Sequence, residues 1–328
     1  MTIRSVCVLF IFFLGCIETP KEKEFVKVST SFPVNIENDG PQLGGHFDKV
    51  AVIVEPRKHK GLPIVVRNML RNLDDTWKVQ IFHGIGNEAE LKEKFSKEIQ
   101  EGRLYLTRML VQNLSLEMYN YLMMNRGFWE SVIGEKILLF EVDSALCDHS
   151  MHKIDEFLHF DYIGAPWAST IVRGCHIYQS KQNPKLKYVV DTGDLEALHT
   201  FKKLEFSQIF SSPGGKIGNS GLSLRSRKAM FKILSEYVPK SSIFWARSND
   251  LYYACILDYP KNELKVPTVE EASHFSTEAI LYKGSLGFHK SWSWLTGEEE
   301  EIVQSFCTDY TKIKKLYLSD KSGKDGPI

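Results

Sequence analysis

Lys136-Ile137-Leu138-Leu139-Phe140-Glu141-Val142-Asp143 is the most apolar strand-like run of the chain, and it passes directly into two acids two residues apart. A short, continuous apolar run reads as a strand covered on both faces, the pattern of a parallel sheet. Interior carboxylates need a cation or a set of donors to stay ionised. If the strand stays extended, alternation sends Glu141 and Asp143 to one face, where they could share an ion, its water shell or a diphosphate. Hard oxygen ligands favour magnesium or manganese. The competing reading is that both acids merely end the strand as turn formers.

Upstream, Lys49-Val50-Ala51-Val52-Ile53-Val54 repeats the pattern and ends in Glu55-Pro56-Arg57. A helix-spaced segment from Leu62 to Leu73 separates it from a second strand, Trp77–Phe82, and strand–helix–strand order predicts a parallel sheet. Glu88–Gly102 reads as a surface helix with Leu91, Phe95 and Ile99 on one stripe, Leu104–Leu110 as a strand, and Ser115–Met124 as a helix. Ligands of open parallel sheets bind outside the carboxyl ends of the strands. Glu55, Arg57, Glu141 and Asp143 are therefore expected at one edge. Arg57 could pair with phosphate or stack on a base, and a local salt bridge with Glu55 is the alternative.

Downstream come a short helix (153–158), the loop Phe160-Asp161-Tyr162-Ile163-Gly164-Ala165-Pro166-Trp167, and a Lys-rich segment, 170–207, whose weak periodicity suggests an insertion or lid. Trp167 could stack on a sugar or close the core. In Gly214-Gly215-Lys216-Ile217-Gly218-Asn219-Ser220-Gly221 the glycines let backbone approach a sugar, and Asn219 can bond hydroxyls; a turn before strand Leu222–Arg225 explains the glycines equally well. Ser226 caps a helix reaching Val238, another helix runs from Asp250 to before Pro260, and the polar tail, 312–328, is expected to fray.

The 328 residues carry 41 Lys+Arg against 41 Asp+Glu, so no basic surplus exists to hold nucleic acid or an anionic leaflet. With 43% hydrophobic residues there is material for a large core. Residues 1–20, with an apolar run from Val6 to Ile17 behind Arg4, read as a cleaved signal peptide or a short signal anchor, with a buried first strand as the remaining option. A stem follows (21–46), then one domain (47–311). The anchor is the one expected membrane contact. Outside the signal, Cys147, Cys175, Cys255 and Cys307 allow two disulfides in three connectivities, or buried thiols. Asn113-Leu114-Ser115 is a glycosylation acceptor if the chain enters the secretory route.

Three ordered segments, Phe140-Glu-Val-Asp-Ser-Ala-Leu-Cys147, Phe160-Asp-Tyr-Ile-Gly-Ala-Pro-Trp167 and Gly218-Asn-Ser-Gly-Leu-Ser-Leu-Arg-Ser-Arg227, resemble the signatures of a family of eukaryotic and viral proteins. That family is catalogued as a domain of unknown function and regarded as related to GT-A glycosyltransferases. The resemblance covers about 49–295 and implies an α/β, GT-A-like (Rossmann-like) fold, with a mostly parallel mixed sheet flanked by helices. It implies Mn2+ or Mg2+ on the diphosphate of a UDP- or GDP-linked sugar. Glu141-Val142-Asp143 stands where such enzymes carry D-x-D, which makes Asp143 a metal ligand. Glu141 is a second ligand or a contact to ribose or sugar.

By the same resemblance, His289 in Gly287-Phe288-His289-Lys290 is a metal ligand or diphosphate contact, with Lys290 offsetting phosphate charge. Asp250, after Ser248-Asn249, is the acceptor base; there the positive end of a helix would favour its ionised form. Glu55, Arg57, Ser144, Asn219 and Gly221 belong to the donor site, Gly164 and Trp167 to the acceptor side, and Arg225 is available to a diphosphate. The function implied is inverting transfer of a sugar to a glycan, glycoprotein or glycolipid hydroxyl in the ER/Golgi lumen or outside the cell. The rivals are a non-catalytic carbohydrate-binding relative and a metal-dependent phosphodiesterase or nucleotidyltransferase.

Overall fold

The computed structural model describes residues 36–37, 47–167, 174–193, 206–212, 216–240 and 248–321. The expected signal (1–20), most of the stem, Gly214 and Gly215, and much of 170–207 lie outside the described residues, as does the chain beyond 321. The elements in chain order begin with β1 (Ile36–Glu37), β2 (Phe47–Glu55), α1 (Leu62–Asn72), β3 (Trp77–His83), α2 (Glu88–Lys94), α3 (Ser96–Gln100), β4 (Leu104–Met109), α4 (Leu116–Met123) and α5 (Arg126–Ser131). They continue with β5 (Gly134–Phe140), β6 (Ser144–Leu146), β7 (Tyr162–Gly164), β8 (Cys175–Ser180), β9 (Lys187–Asp191), β10 (Phe206–Ser212), β11 (Leu222–Ser226), α6 (Arg227–Glu236) and β12 (Tyr237–Pro239). The last are α7 (Asn249–Leu257), α8 (Val269–Phe275), β13 (Ser276–Thr277), β14 (Gly287–His289), α9 (Gly297–Phe306) and α10 (Tyr310–Lys321). Among the described residues no helix is long and apolar enough to cross a membrane.

The main sheet has seven strands in the order β1-β4-β3-β2-β5-β11-β7. Its centre, β4, β3, β2 and β5, is parallel, so Met109, His83, Glu55 and Phe140 end at a common edge. The fold is thus α/β with a mostly parallel mixed sheet, the mixing coming from β11, antiparallel to both β5 and β7, and from β1 at the opposite edge. Alternation splits the apolar strands between two cores. Ala51, Ile53, Leu138 and Phe140 pack with α1, α9 and α10, whereas Val50, Val52, Ile137 and Leu139 pack with α4 to α7.

Five expectations change. The stem contributes β1, which pairs antiparallel with β4 through Ile36 and Met109. The described parts of 170–207 are strands of a second sheet, β10-β8-β9-β12. Their pattern is masked because Lys187 fills a buried position, its ammonium 3.2 Å from Glu236 and 4.7 Å from the ring of Tyr237. That sheet also takes Tyr237–Pro239 away from the end of α6. The tail does not fray up to Lys321: Tyr310, Ile313 and Tyr317 form a buried stripe at helical spacing, so α10 docks on the core. The helix expected at 88–102 is broken at Phe95 into α2 and α3.

Two disulfides settle the connectivity. Cys147–Cys307 joins the end of β6 to the cap of α9, and Cys175–Cys255 joins β8 to α7 across 80 residues.

Candidate active and metal site

The two acids meet through a turn, not through strand alternation. After Phe140 the chain leaves the sheet; Ser144 N donates to Glu141 O (3.1 Å), and the Ser144 hydroxyl braces both ends of Glu141, 2.9 Å from its N and 2.9 Å from its O. Ser144 is fully buried and its hydroxyl is spent on this turn, which corrects its expected place among donor contacts. β6 then pairs antiparallel with β14, setting His289 opposite Ser144, and Lys290 N donates to Asp143 O at 2.9 Å. That register carries a residue distant in sequence to the acids of the turn.

His289 Nε2 lies 3.4 Å from Asp143 Oδ1 and 3.6 Å from Glu141 Oε2. One ligand atom from each of the three residues falls within 4.8 Å of the others. Asp143 is buried, and its Oδ1 accepts no hydrogen bond: the imidazole is near but not aligned. A buried, unsatisfied carboxylate oxygen is costly unless a further group completes it. Two carboxylates and an imidazole around such an atom fit a divalent cation of the manganese or magnesium type.

The other face of the imidazole is equally built. His289 Nδ1 lies 3.2 Å from Glu278 Oε1 and 3.2 Å from Asn219 Nδ2. Asn219 Oδ1 accepts from Gly221 N (3.1 Å), which turns the Asn219 amide N–H toward Nδ1, while Glu278 stands beside that nitrogen as a charge. A cation at Nε2 would leave the ring proton on Nδ1, where Glu278 is the neighbouring carboxylate, the outer-shell arrangement common around metal-bound histidines. Glu278 is buried and also accepts from the Trp167 indole at 3.2 Å. Burial pulls the imidazole pKa down, but Asp143, Glu278 and Glu141 outweigh it and raise it well above the ordinary value. Burial likewise raises Asp143, and His289 with Lys290 brings it below the usual carboxylate range.

Several donor and acceptor residues prove to be supports. A Cβ on Gly221 would lie 2.2 Å from His289 Nε2, so this glycine makes room for the imidazole rather than for a sugar. Asn219 is buried and faces His289. Gly164 abuts the Asn219 carbonyl, where a Cβ would come within 2.2 Å, and Trp167 is only 6% exposed, so neither offers an open face to an acceptor. Arg225 is fully buried among the rings of Trp129, Tyr162 and Tyr253, out of reach of a diphosphate.

Asp250 sits in the first turn of α7, capped by Ser248, and faces a cavity of 130 Å³ together with Tyr119, Glu141, Asp143, His289 and Lys290. Burial pushes its carboxyl up to about 6; a Ser220 hydrogen bond opposes the rise, and the charges of Glu141 and Glu278 add to it. The expected help of the helix dipole is outweighed. Asn249 is a pin: it accepts from Ser220 Oγ (2.6 Å) and donates its side-chain amide to Asn120 Oδ1 (2.7 Å).

Glu55 and Arg57 stand apart from this group. Arg57 grips Glu55 with Nε and Nη2 at 2.9 and 2.8 Å, the local salt bridge, and Glu55 is buried. Arg57 still borders a second cavity, of 400 Å³, with Lys58, Gln112, Asn113 and Asp320. Lys290 adopts a left-handed conformation (φ 44°, ψ 29°), a strain of about 1 kcal/mol or more for a residue with a side chain.

Sequence reasoning missed Glu278, Tyr119 and Asn120. Tyr119 donates to Glu141 Oε1 at 2.9 Å. No local pattern marks Glu278, an acid three residues past the end of α8; its burial appears only in the folded chain.

The profile of a family described as protein of unknown function (DUF5672) matches residues 106–289. No curated protein matches the chain. Among solved structures, the apo glycosyltransferase GlyE of Streptococcus pneumoniae TIGR4 is similar at 10% identity and a TM-score of 0.38, over 84% of this chain and 64% of that one. The bifunctional glycosyltransferase WbbM is similar at 10% identity and 0.37, over 84% of this chain and 52% of that one. HddC from Yersinia pseudotuberculosis is similar at 11% identity and 0.29, over 63% of this chain and 98% of that one. Likenesses at this level carry nothing about the site. The profile match spans more than half of the 328 residues and contains the three motif segments and every residue of the acid–histidine group, and on it the chain belongs to the DUF5672 family.

Proposed function

We propose that this chain is a GT-A-like glycosyltransferase that moves a sugar from a UDP- or GDP-linked donor to a hydroxyl of a glycan, glycoprotein or glycolipid, with inversion. The observation that carries the reading is the convergence of Glu141, Asp143 and His289 on an unsatisfied buried oxygen at the carboxyl edge of a parallel sheet, with Asp250 facing the same cavity. Asp143, His289 and Glu141 would hold Mn2+ or Mg2+. When bound, the cation supplies charge neutralisation for the departing nucleoside diphosphate.

The chain's own residues do the rest. Glu278 keeps the Nδ1 proton of His289 and so keeps Nε2 directed at the acids. Tyr119 holds one oxygen of Glu141 and leaves the other toward His289. Asp250, with a pKa near 6, is ionised at neutral pH yet basic enough to take the acceptor hydroxyl proton as the anomeric carbon is attacked. Lys290 offsets phosphate charge. The second cavity, beside Arg57 and Lys58, has the position and size for the nucleoside.

A lumenal or extracellular location, reached through a signal peptide or anchor at 1–20, is part of the proposal. Its support is the pairing of Cys147 with Cys307 and of Cys175 with Cys255. The test is an assay of the purified chain against UDP- and GDP-sugars with and without Mn2+. Metal-dependent release of nucleoside diphosphate, lost in Asp143→Ala, supports the reading. Release of nucleoside monophosphate selects the phosphodiesterase or nucleotidyltransferase class instead, and chelator-insensitive glycan binding without turnover selects the non-catalytic one.

A further inference from the structure

The family match ends at His289, yet the chain continues into α10, whose Asp320 borders the 400 Å³ cavity and whose Tyr317 touches Lys290 on the wall of the 130 Å³ cavity. Lys290, next after the match, takes its left-handed turn because its N–H closes on Asp143 O while the chain enters the turn Ser291–Ser293. A glycine would meet that backbone demand without strain, so a lysine there points to a use for the side chain. Its ammonium lies 5.5 Å from the ring centre of Tyr317 on α10. Tyr317 is buried and packs on Trp292 at 5.7 Å, and Trp292 packs on Tyr310 at 5.7 Å, so the ring that receives the ammonium is itself fixed.

One turn further on, Asp320 lies 3.1 Å from His59 Nε2. His59 Nδ1 accepts from Gly61 N (3.0 Å), which leaves Nε2 as the protonated nitrogen on the side of Asp320. Asp320 thereby ties α10 to the loop after β2 and forms part of the wall of the 400 Å³ cavity, while Lys290 forms part of the wall of the 130 Å³ cavity. α10 is thus held by charged neighbours, His59 at Asp320 and Lys290 at Tyr317, and not only by its apolar stripe.

We infer that Tyr317 on α10 is a positioning residue, holding the Lys290 ammonium beside the metal pocket for an anionic diphosphate. The inference rests on the proposed donor chemistry and adds a residue outside the matched family segment. In the absence of ligand the ring shelters the ammonium through a cation–π contact, and the side chain is pre-placed instead of searching its rotamers when the diphosphate arrives.

The full chain, produced in a eukaryotic secretory host, is compared as parent, Tyr317→Leu, Tyr317→Phe, Lys290→Met and the Lys290→Met/Tyr317→Leu double variant. Each is titrated with Mn2+ alone and with UDP or GDP at saturating Mn2+. Both Tyr317 variants are expected to bind Mn2+ within about twofold of the parent, and the Lys290→Met variants no more weakly than the parent, since a neighbouring positive charge is removed, while Lys290→Met and Tyr317→Leu each weaken the nucleotide about tenfold. Tyr317→Phe, which keeps the ring, stays within about threefold of the parent, and the double variant loses no more than Lys290→Met alone. Parent-like nucleotide binding by Tyr317→Leu, or losses that add in the double variant, overturns the inference.

A second readout needs no ligand. Acetylation of Lys290 by acetic anhydride, followed by mass spectrometry, rises in Tyr317→Leu relative to the exposed Lys283 and Lys312, and an unchanged ratio overturns the clamp. Failure of the parent to bind Mn2+ defeats the metal reading separately, because the labelling ratio still decides whether Tyr317 holds Lys290.

Discussion

Oε1 of Glu278 lies 3.2 Å from Nδ1 of His289, while Nε2 of the same ring lies 3.4 Å from Asp143 Oδ1. Glu278→Gln removes the charge that keeps the proton on Nδ1 while leaving the volume almost unchanged. Mn2+ affinity is expected to fall about 10–100-fold, with the fold intact. Electron paramagnetic resonance of free Mn2+ measures it; an affinity equal to the parent's would show that Glu278 is only a core carboxylate.

Cation uptake should expel a proton. The raised pKa of His289 means that the metal-free imidazole is protonated at neutral pH, so a cation at Nε2 must displace that proton. Mn2+ affinity then increases with pH, by up to about tenfold per unit, and about one proton is released per ion. Calorimetry in buffers of different ionisation enthalpy counts the proton directly.

Asp250 predicts a trade between stability and activity. Its folded pKa, about 6, lies above the ordinary carboxylate value, so the folded state binds more protons than the unfolded one between those two values. Stability contributed by this group is full below the unfolded pKa and is lost as pH rises through about 6. Asp250→Asn is therefore expected to be more stable than the parent at pH 7.5 in chelator, by about 1–3 kcal/mol, with the gap closing toward pH 4. The same variant should lose transfer activity, and the parent's activity should show an acid limb near pH 6. A variant less stable than the parent at pH 7.5 would contradict the assignment of burial as the cause.

Gly221→Ala places a methyl where the imidazole stands, 2.2 Å from Nε2. His289 must then turn away, and Mn2+ binding should weaken by about tenfold or more while the disulfides and far-UV dichroism stay unchanged. Retained affinity would mean that the ring has another seat beside Asp143.

The central strands were readable because burial on both faces leaves a continuous apolar run, as in Val50–Val54 and Lys136–Phe140. Helix starts at Ser115 and Ser226 were readable in the same local way, each serine accepting from the backbone three residues on, whereas the helix expected from Asp250 is capped two residues earlier, by Ser248. The grouping of the motif residues was readable in part: Glu141, Asp143, His289 and Asp250 line one cavity. Its supports were not. Glu278 and Trp167 meet across 111 residues, and the role of Gly221 appears only when β14 lies against it. Those relations depend on sheet register, which no window of sequence contains. The turn at Glu141–Ser144 escaped because two acids at a strand end look alike whether the chain continues extended or bends. Glu55 and Arg57, separated by a single residue, were close enough to satisfy each other, and they did.

The most direct test of the account is an anomalous difference map from crystals grown with Mn2+. The account predicts one strong peak bonded to Asp143 Oδ1 and His289 Nε2, at about 2.0–2.3 Å, with Glu141 in or next to its coordination sphere. No peak there at saturating Mn2+, or His289 still paired to Asp143 with the ion bound elsewhere, would contradict it.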